Sequence, residues 1–105
     1  MENINKVELQ GIVGNVRMNE CGGRKTADIQ LAVMDIYKDK NGIAVVETTW
    51  VNISAFEGVN ISLEGIGKGT RINVRGRLKL NHYVGADGLD KYVTSVVARE
   101  LSIVE

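Results

Sequence analysis

The segment TRINVRGRLKL, from Thr70 to Leu80, has the most regular alternation of apolar and polar residues in the chain. Successive side chains of a β-strand point to opposite faces, so this segment predicts a strand with two different surfaces. The apolar face consists of Ile72, Val74, Gly76, Leu78 and Leu80. The polar face consists of Arg71, Asn73, Arg75, Arg77 and Lys79. A strand of this kind covers a hydrophobic core on one side and meets solvent on the other.

Four other segments have strand patterns, and turns rich in glycine, asparagine and aspartate separate them. They cover residues 5–16, 26–37, 44–56 and 91–104. In the second of them the alternation slips after Val33, because Ile36 and not Asp35 is apolar. A β-bulge between Val33 and Ile36 would repair the alternation and turn Tyr37 to the opposite, open face.

The segment EGVNISLEGIG, residues 57–67, is the one part of the chain with a helical pattern. Its apolar set is Val59, Ile61 (or Leu63) and Ile66, and its interior glycines limit it to a short helix. Five strands with one short helix between the third and fourth is the order of an oligonucleotide/oligosaccharide-binding (OB) barrel. We therefore predict a single all-β domain over residues 1–105, a five-stranded OB-fold Greek-key barrel. A five-stranded SH3-like barrel is the alternative, but it lacks a helix before its fourth strand.

The composition is that of one globular domain. The chain has 105 residues, of which 44% are hydrophobic and 25% are charged. No apolar run reaches membrane-spanning length, and the N-terminus lacks the layout of a signal peptide. Cys21 is the only cysteine, so no internal disulfide can form and a reducing compartment fits. We therefore expect a cytoplasmic protein without a membrane partner.

The segment TTWVNISAF, residues 48–56, sets two aromatic rings beside polar side chains. Its apolar face already consists of Thr49, Val51, Ile53 and Ala55. Trp50 and Phe56 share the other face with Asn52 and Ser54. Large aromatic residues usually lie in cores, but burying these rings would also bury an amide and a hydroxyl without partners, at ~1–3 kcal/mol each. The pattern therefore favours two rings that stand on an open, polar surface.

The charges of the chain are segregated, although 13 basic and 13 acidic residues cancel in number. Between Glu64 and Asp87 there is no acid, and the polar face of the Thr70–Leu80 strand carries only basic residues and asparagine. A row of like charges repels itself unless an anion lies along it. The same face continues to Tyr83. Exposed rings with flanking cations are what sequence-tolerant binding of single-stranded nucleic acid requires, whereas a duplex hides its bases.

The sequence contains no catalytic or metal-binding motif. The segment GIGKGT lacks the spacing of a phosphate-binding loop, because Gly69 separates Lys68 from Thr70. His82 is the only histidine and Cys21 the only cysteine, which is too few for a metal site or a nucleophile–base pair. We therefore predict a binding protein that is not an enzyme and uses no cofactor or metal.

Four blocks resemble the corresponding blocks of the bacterial single-stranded DNA-binding protein family. They span about residues 4–104 in the family's order, and they are NKVELQGIVG, LAVMDIYKDKNG, TTWVNISAF and KGTRINVRGRLKLNHYVGADGLDKYVTSVV. The resemblance implies that four aromatic residues stack on the bases of single-stranded DNA, namely Tyr37, Trp50, Phe56 and Tyr83. It also implies basic contacts from Lys6, Arg71, Arg75, Arg77 and Lys79.

The resemblance further implies a homo-oligomer, a tetramer or a dimer, that protects single strands in DNA replication, recombination and repair. Family members usually continue into a Gly- and Pro-rich tail that recruits other proteins. This chain ends at ELSIVE, so we expect tail-mediated recruitment to be absent. Primosomal replication protein B, a tail-less dimer with the same fold, is an alternative, although it usually lacks all four rings. A third hypothesis is an OB-fold module that binds protein partners through this face.

Overall fold

A computed structural model describes residues 2–104, which form five β-strands closed into a barrel. The strands are β1 (Val7–Cys21), β2 (Arg24–Lys38), β3 (Ala44–Phe56), β4 (Arg71–Val84) and β5 (Asp90–Ile103). Around the barrel they follow the order β1-β2-β3-β5-β4. All neighbouring pairs are antiparallel except β3 and β5, which run parallel where Ile53 faces Val96. This topology confirms the predicted all-β, five-stranded OB-fold barrel.

The core is built from the inward positions that the alternation indicated. Its largest fully buried side chains are Ile29, Leu31, Ile53, Ile72, Val13, Val74 and Val96. On β3 the inward residues Ile53 and Ala55 are 1% exposed, whereas Trp50 is 62% and Phe56 46% exposed. The two rings of the TTWVNISAF segment therefore stand on the outer surface, as predicted.

The predicted helix between β3 and β4 is absent from the structure. Residues 57–70 form turns and isolated bridges, because Gly65 and Gly69 adopt φ angles of +80° and +90°, which a right-handed helix does not contain. Ile61 pairs with Leu101 of β5, and it is buried together with Leu63 and Ile66. The segment therefore closes one end of the barrel with apolar side chains. Val59, which the helical pattern had included in the apolar set, is fully exposed.

The predicted β-bulge between Val33 and Ile36 is also absent. The β2–β3 pairing runs without interruption from Thr26 opposite Phe56 to Lys38 opposite Ala44. Ile36 is exposed, because the distal part of this hairpin extends beyond the barrel. Its apolar side chain therefore does not have to face the core, and the strand needs no bulge. Tyr37 consequently keeps the facing of Val33, on the side of the hairpin opposite to Trp50.

Two bulges occur elsewhere, at positions that the alternation did not indicate. Gly14 is the extra residue of β1 opposite β2, and Arg99 is the extra residue of β5 opposite β4. Beyond Gly76, β4 pairs only with β5, so Leu78 and Leu80 lie on a projecting hairpin and are 49% and 63% exposed. Their predicted place in the core is therefore wrong, as is that of the exposed Thr49.

Within the described residues, no helix is long and apolar enough to cross a membrane. The same residues contain no group of three or more histidine, cysteine or acidic side chains arranged to hold a metal ion.

Replacing Gly76 with alanine is expected to destabilise the barrel by about 1–3 kcal/mol, because the new methyl group would lie 2.8 Å from the backbone carbonyl carbon of Val97. Thermal unfolding should show a fall in Tm of about 4–8 °C per kcal/mol for a domain of this size. Gly67→Ala is the matched control, because nothing lies within 4 Å of its added methyl group. An unchanged Tm for Gly76→Ala would contradict the close approach of β4 and β5.

Candidate nucleic-acid interface

The outward face of β3 carries Trp50, Asn52, Ser54 and Phe56 in a row. The two rings are six positions apart, which is about 20 Å along an extended strand. On the β2 side, Asn52 pairs with Gln30 and Ser54 with Asp28. Because paired residues of neighbouring strands point to the same face, the two rings flank a polar stretch of sheet.

The same outward face continues across β5 to β4. Ser54 lies beside Val97 in the parallel pairing, and Val97 in turn pairs with Arg77. Further along the β4–β5 hairpin, Lys79 pairs with Ser95 and Tyr83 with Lys91. We call this continuous surface the outer track. It consists of Trp50, Asn52, Ser54 and Phe56 of β3, Ser95 and Val97 of β5, and Arg77, Lys79, Asn81 and Tyr83 of β4.

The middle of the outer track is an open groove lined by hydrogen-bonding side chains. Its polar lining consists of Asn15, Arg17, Asp28, Gln30, Asn52, Ser54, Asn81 and Ser95. The Nδ2 atom of Asn81 donates to Oγ of Ser95 at 3.0 Å, which joins β4 to β5 across the groove floor. Amides and hydroxyls both donate and accept hydrogen bonds, so this groove suits a polar ligand of mixed character.

Trp50 is seated against the bulge of β1. Its indole extends over β2 and ends beside Gly14, where a Cβ atom would lie 2.7 Å from Cη2 of the ring. The residue of β2 opposite Trp50 is Ala32, whose small side chain leaves room for the indole to reach β1. The ring is therefore held by the backbone of β1 and still leaves 62% of Trp50 exposed.

Phe56 has a cation beside it. The guanidinium carbon of Arg24 lies 5.7 Å from the centre of the Phe56 ring, a distance at which a cation and an aromatic face attract each other. Sequence reasoning missed Arg24 because it follows the Gly22–Gly23 turn, outside the regular alternation of β2. Its neighbour relation with Phe56 depends on the β2–β3 register.

The two tyrosines predicted to stack lie on the projecting hairpins. Tyr83 is 50% exposed on the outer track near the end of β4. Tyr37 is 49% exposed near the end of β2, but its facing is opposite to that of Trp50. The register therefore brings Trp50, Phe56 and Tyr83 onto one face, and it leaves Tyr37 on the other side of the β2–β3 hairpin.

The predicted basic row is divided into two parts. Arg77 and Lys79 lie on the outer track, where β4 pairs only with β5. Arg75 lies where β4 also pairs with β1, and its guanidinium contacts Glu8 at 2.6 Å and Glu100 at 3.6 Å. The hydrogen bond from Arg75 to Glu8 and the charges of both carboxylates raise the pKa of Arg75. The row lacks interleaved acids along β4, but neighbouring strands supply them.

Arg71 and Lys6 also lie away from the rings. Arg71 lines a shallow depression with Gln10, Ile12 and Met34. Lys6 precedes β1 and shares a depression with Glu8 and Arg75. The structure thus brings Arg77 and Lys79 to the ring-bearing face and places Arg71, Arg75 and Lys6 at the β1–β4 pairing.

An ion pair on the groove was not foreseen from the sequence. Arg17 of β1 contacts Asp28 of β2 at 3.1 Å, and Asp28 is the residue paired with Ser54. Both side chains are more than half exposed, so the pair is accessible to a ligand and contributes little to stability. Asp28 places a negative charge beside the row of groups that would meet an anionic ligand.

Residues 4–104 match the profile described as "Single-strand binding protein family". The single-stranded DNA-binding protein of Xylella fastidiosa is 33% identical over an alignment of 104 residues, which covers 95% of this chain and 63% of the relative. The protein of the same name from Xanthomonas axonopodis pv. citri is 34% identical, over 95% of this chain and 57% of the relative. This chain therefore spans about three fifths of the length of these relatives.

Solved structures share the fold. A complex of Plasmodium falciparum SSB with ssDNA superimposes with a TM-score of 0.84 at 24% identity, over 100% of this chain and 98% of that chain. A small single-stranded DNA-binding protein from Streptomyces coelicolor gives a TM-score of 0.73 at 20% identity, over 99% of this chain and 96% of that chain. At these identities the likeness establishes the barrel architecture.

Gly14→Ala is expected to displace the Trp50 ring, because the new methyl group would occupy the space of its Cη2 edge. Trp50 is the only tryptophan, so the emission maximum and intensity of the free protein report this change directly. Gly14→Ala should also lower Tm. The control is the same substitution in a Trp50→Ala background, where the methyl group meets no ring and the substitution should lower Tm by less than it does when Trp50 is present. An emission spectrum identical to that of the unmodified protein would contradict the seating of Trp50 on Gly14.

Proposed function

Because the chain belongs to the single-strand binding protein family, we propose that it binds single-stranded DNA without sequence preference and keeps the strand unpaired. The observation that carries the proposal is the outer track, on which the exposed rings of Trp50, Phe56 and Tyr83 share one face with Arg77 and Lys79. The names of the relatives and the ssDNA complex of the Plasmodium protein support the same ligand.

Stacking supplies the sequence-tolerant part of the binding. Each base that stacks on an exposed ring contributes ~1–3 kcal/mol whatever its identity, because every base has a π face. Trp50 and Phe56 offer two such platforms on β3, and Tyr83 offers a third on β4. Tyr37 is a fourth platform if the strand passes around the β2–β3 hairpin. A duplex presents no unstacked base to these rings.

The polar groove and the cations hold the backbone of the strand. Arg77 and Lys79 lie on the ring-bearing face, where they attract phosphates, and no ion pair engages them within residues 2–104. The amides and hydroxyls between the rings hydrogen-bond to sugars and base edges. The proposed activity is reversible binding without a chemical step.

In the cell the proposed role is to protect single strands during DNA replication, recombination and repair. The protein would act in the cytoplasm, on the nucleoid, as a homo-oligomer of two or four chains. Oligomerisation would place several outer tracks on one particle and let a long strand contact them in turn.

Trp50→Ala and Phe56→Ala should each weaken binding of a fluorescently labelled dT oligonucleotide by about 5- to 150-fold, which is the equivalent of ~1–3 kcal/mol for one lost stacking platform. The melting temperature should change little, because both rings are exposed. Anisotropy titrations measure the affinity and thermal unfolding measures Tm. If the unmodified protein is folded and binds no oligonucleotide at low salt, the proposed function is contradicted and the protein-interaction hypothesis is favoured.

Lys79→Ala and Arg75→Ala separate the two parts of the basic row. Removing one phosphate contact should flatten the dependence of log K on log salt by about 0.7 for single strands, and we expect this for Lys79→Ala. Arg75→Ala should leave the slope nearly unchanged, because Glu8 and Glu100 already engage its guanidinium. Titrations at four or five salt concentrations give both slopes. If the slope of log K against log salt flattens equally in the two variants, Arg75 contacts the DNA as well.

A further inference from the structure

Arg24 occupies a defined place at one end of the outer track. It is the first residue of β2, and Thr26, two residues later, pairs with Phe56 at the end of β3. Because residues two apart on a strand face the same way, Arg24 emerges on the face of Phe56. Its guanidinium then reaches back to within 5.7 Å of the Phe56 ring centre.

Two hydrogen bonds and the absence of a side chain at Gly58 allow this arrangement. The Nε atom of Arg24 donates to the backbone oxygen of Glu57 at 2.8 Å. The backbone N–H of Glu57 donates to the backbone oxygen of Lys25 at 2.9 Å. Both backbone polar groups of Glu57 are therefore hydrogen-bonded to the start of β2. Gly58 leaves room for the guanidinium, since a Cβ atom there would lie 3.2 Å from Nη2.

The rest of the guanidinium is available to a ligand. An arginine carries five N–H donors, and Nε provides only one of them. Arg17 and Arg75 are paired with carboxylates, but Arg24 is exposed and forms no ion pair with any acid among the residues that the structure describes. Both terminal nitrogens therefore remain free to donate to an anion beside the Phe56 ring.

We propose that Arg24 and Phe56 form a composite site for one nucleotide, in which a base stacks on the exposed part of the Phe56 ring and the terminal nitrogens of Arg24 bind its phosphate. The proposal rests on the function given above and names the phosphate partner at this end of the outer track. A planar guanidinium suits phosphate because two of its parallel N–H groups can donate to two oxygens at once. Since the backbone of Glu57 already fixes Arg24, little further side-chain freedom is lost on binding.

Arg24→Gln is the direct test, and Lys25→Gln is its matched control. Both variants remove one positive charge from adjacent exposed residues, but Lys25 faces the other side of β2 and pairs with Glu20 of β1. In Arg24→Gln the affinity for a dT oligonucleotide should fall several-fold, and the salt dependence should flatten by about 0.7. Lys25→Gln should change neither quantity. Equal effects in the two variants would overturn the proposal.

Arg24→Lys keeps the charge and loses the planar fork together with the Nε bond to Glu57. It should bind more weakly than the unmodified protein while retaining most of the salt dependence. If Arg24→Gln unfolds, Arg24→Lys carries the test, and an affinity equal to that of the unmodified protein would then overturn the proposal. Absence of oligonucleotide binding by the unmodified protein would instead refute the proposed function itself. The two failures are therefore distinguishable.

Discussion

The two-residue period of β3 determines both the core of the barrel and its aromatic surface. Ile53 and Ala55 must face inward, because they pack with the residues of β2 and β5 that fill the barrel. The intervening positions then have to face outward, which brings Trp50 and Phe56 to the surface together with Asn52 and Ser54. The burial that stabilises the barrel therefore also creates its aromatic surface. A shift of the register by one residue would bury both rings and expose the core.

The distribution of charge follows from which strands adjoin each cation. Where β4 lies against β1, Arg75 meets Glu8 and Glu100, and on the groove Arg17 meets Asp28. Where β4 pairs only with β5, Arg77 and Lys79 adjoin Val97 and Ser95, which carry no charge. A chain with no net charge can thus retain an unneutralised basic surface beside its exposed rings. Arg24 extends that surface to the far end of β3.

Within the barrel, the facing of residues along one strand could be predicted from the sequence, whereas the exposure of Thr49, Leu78 and Leu80 and the contacts between distant strands could not. The alternation of TRINVRGRLKL and TTWVNISAF predicted the inward positions Ile72, Val74, Ile53 and Ala55 and the exposure of Trp50 and Phe56. The cation beside Phe56, the carboxylates beside Arg75 and the glycine under Trp50 all depend on register between strands, which periodicity does not contain. The prediction of a helix was wrong because the apolar spacing of residues 57–67 also fits irregular turns that close a barrel. The positive φ angle of Gly65 is compatible with turns and not with a right-handed helix.

Stacking of Trp50 on single-stranded DNA can be tested by quenching of its fluorescence with dT oligonucleotides at low and high salt. Trp50 is the only tryptophan of the chain, so the signal arises from one position. We expect strong quenching at low salt, with an affinity that falls as the salt concentration rises. A folded protein whose emission does not change at any salt or oligonucleotide concentration would contradict the stacking surface described above.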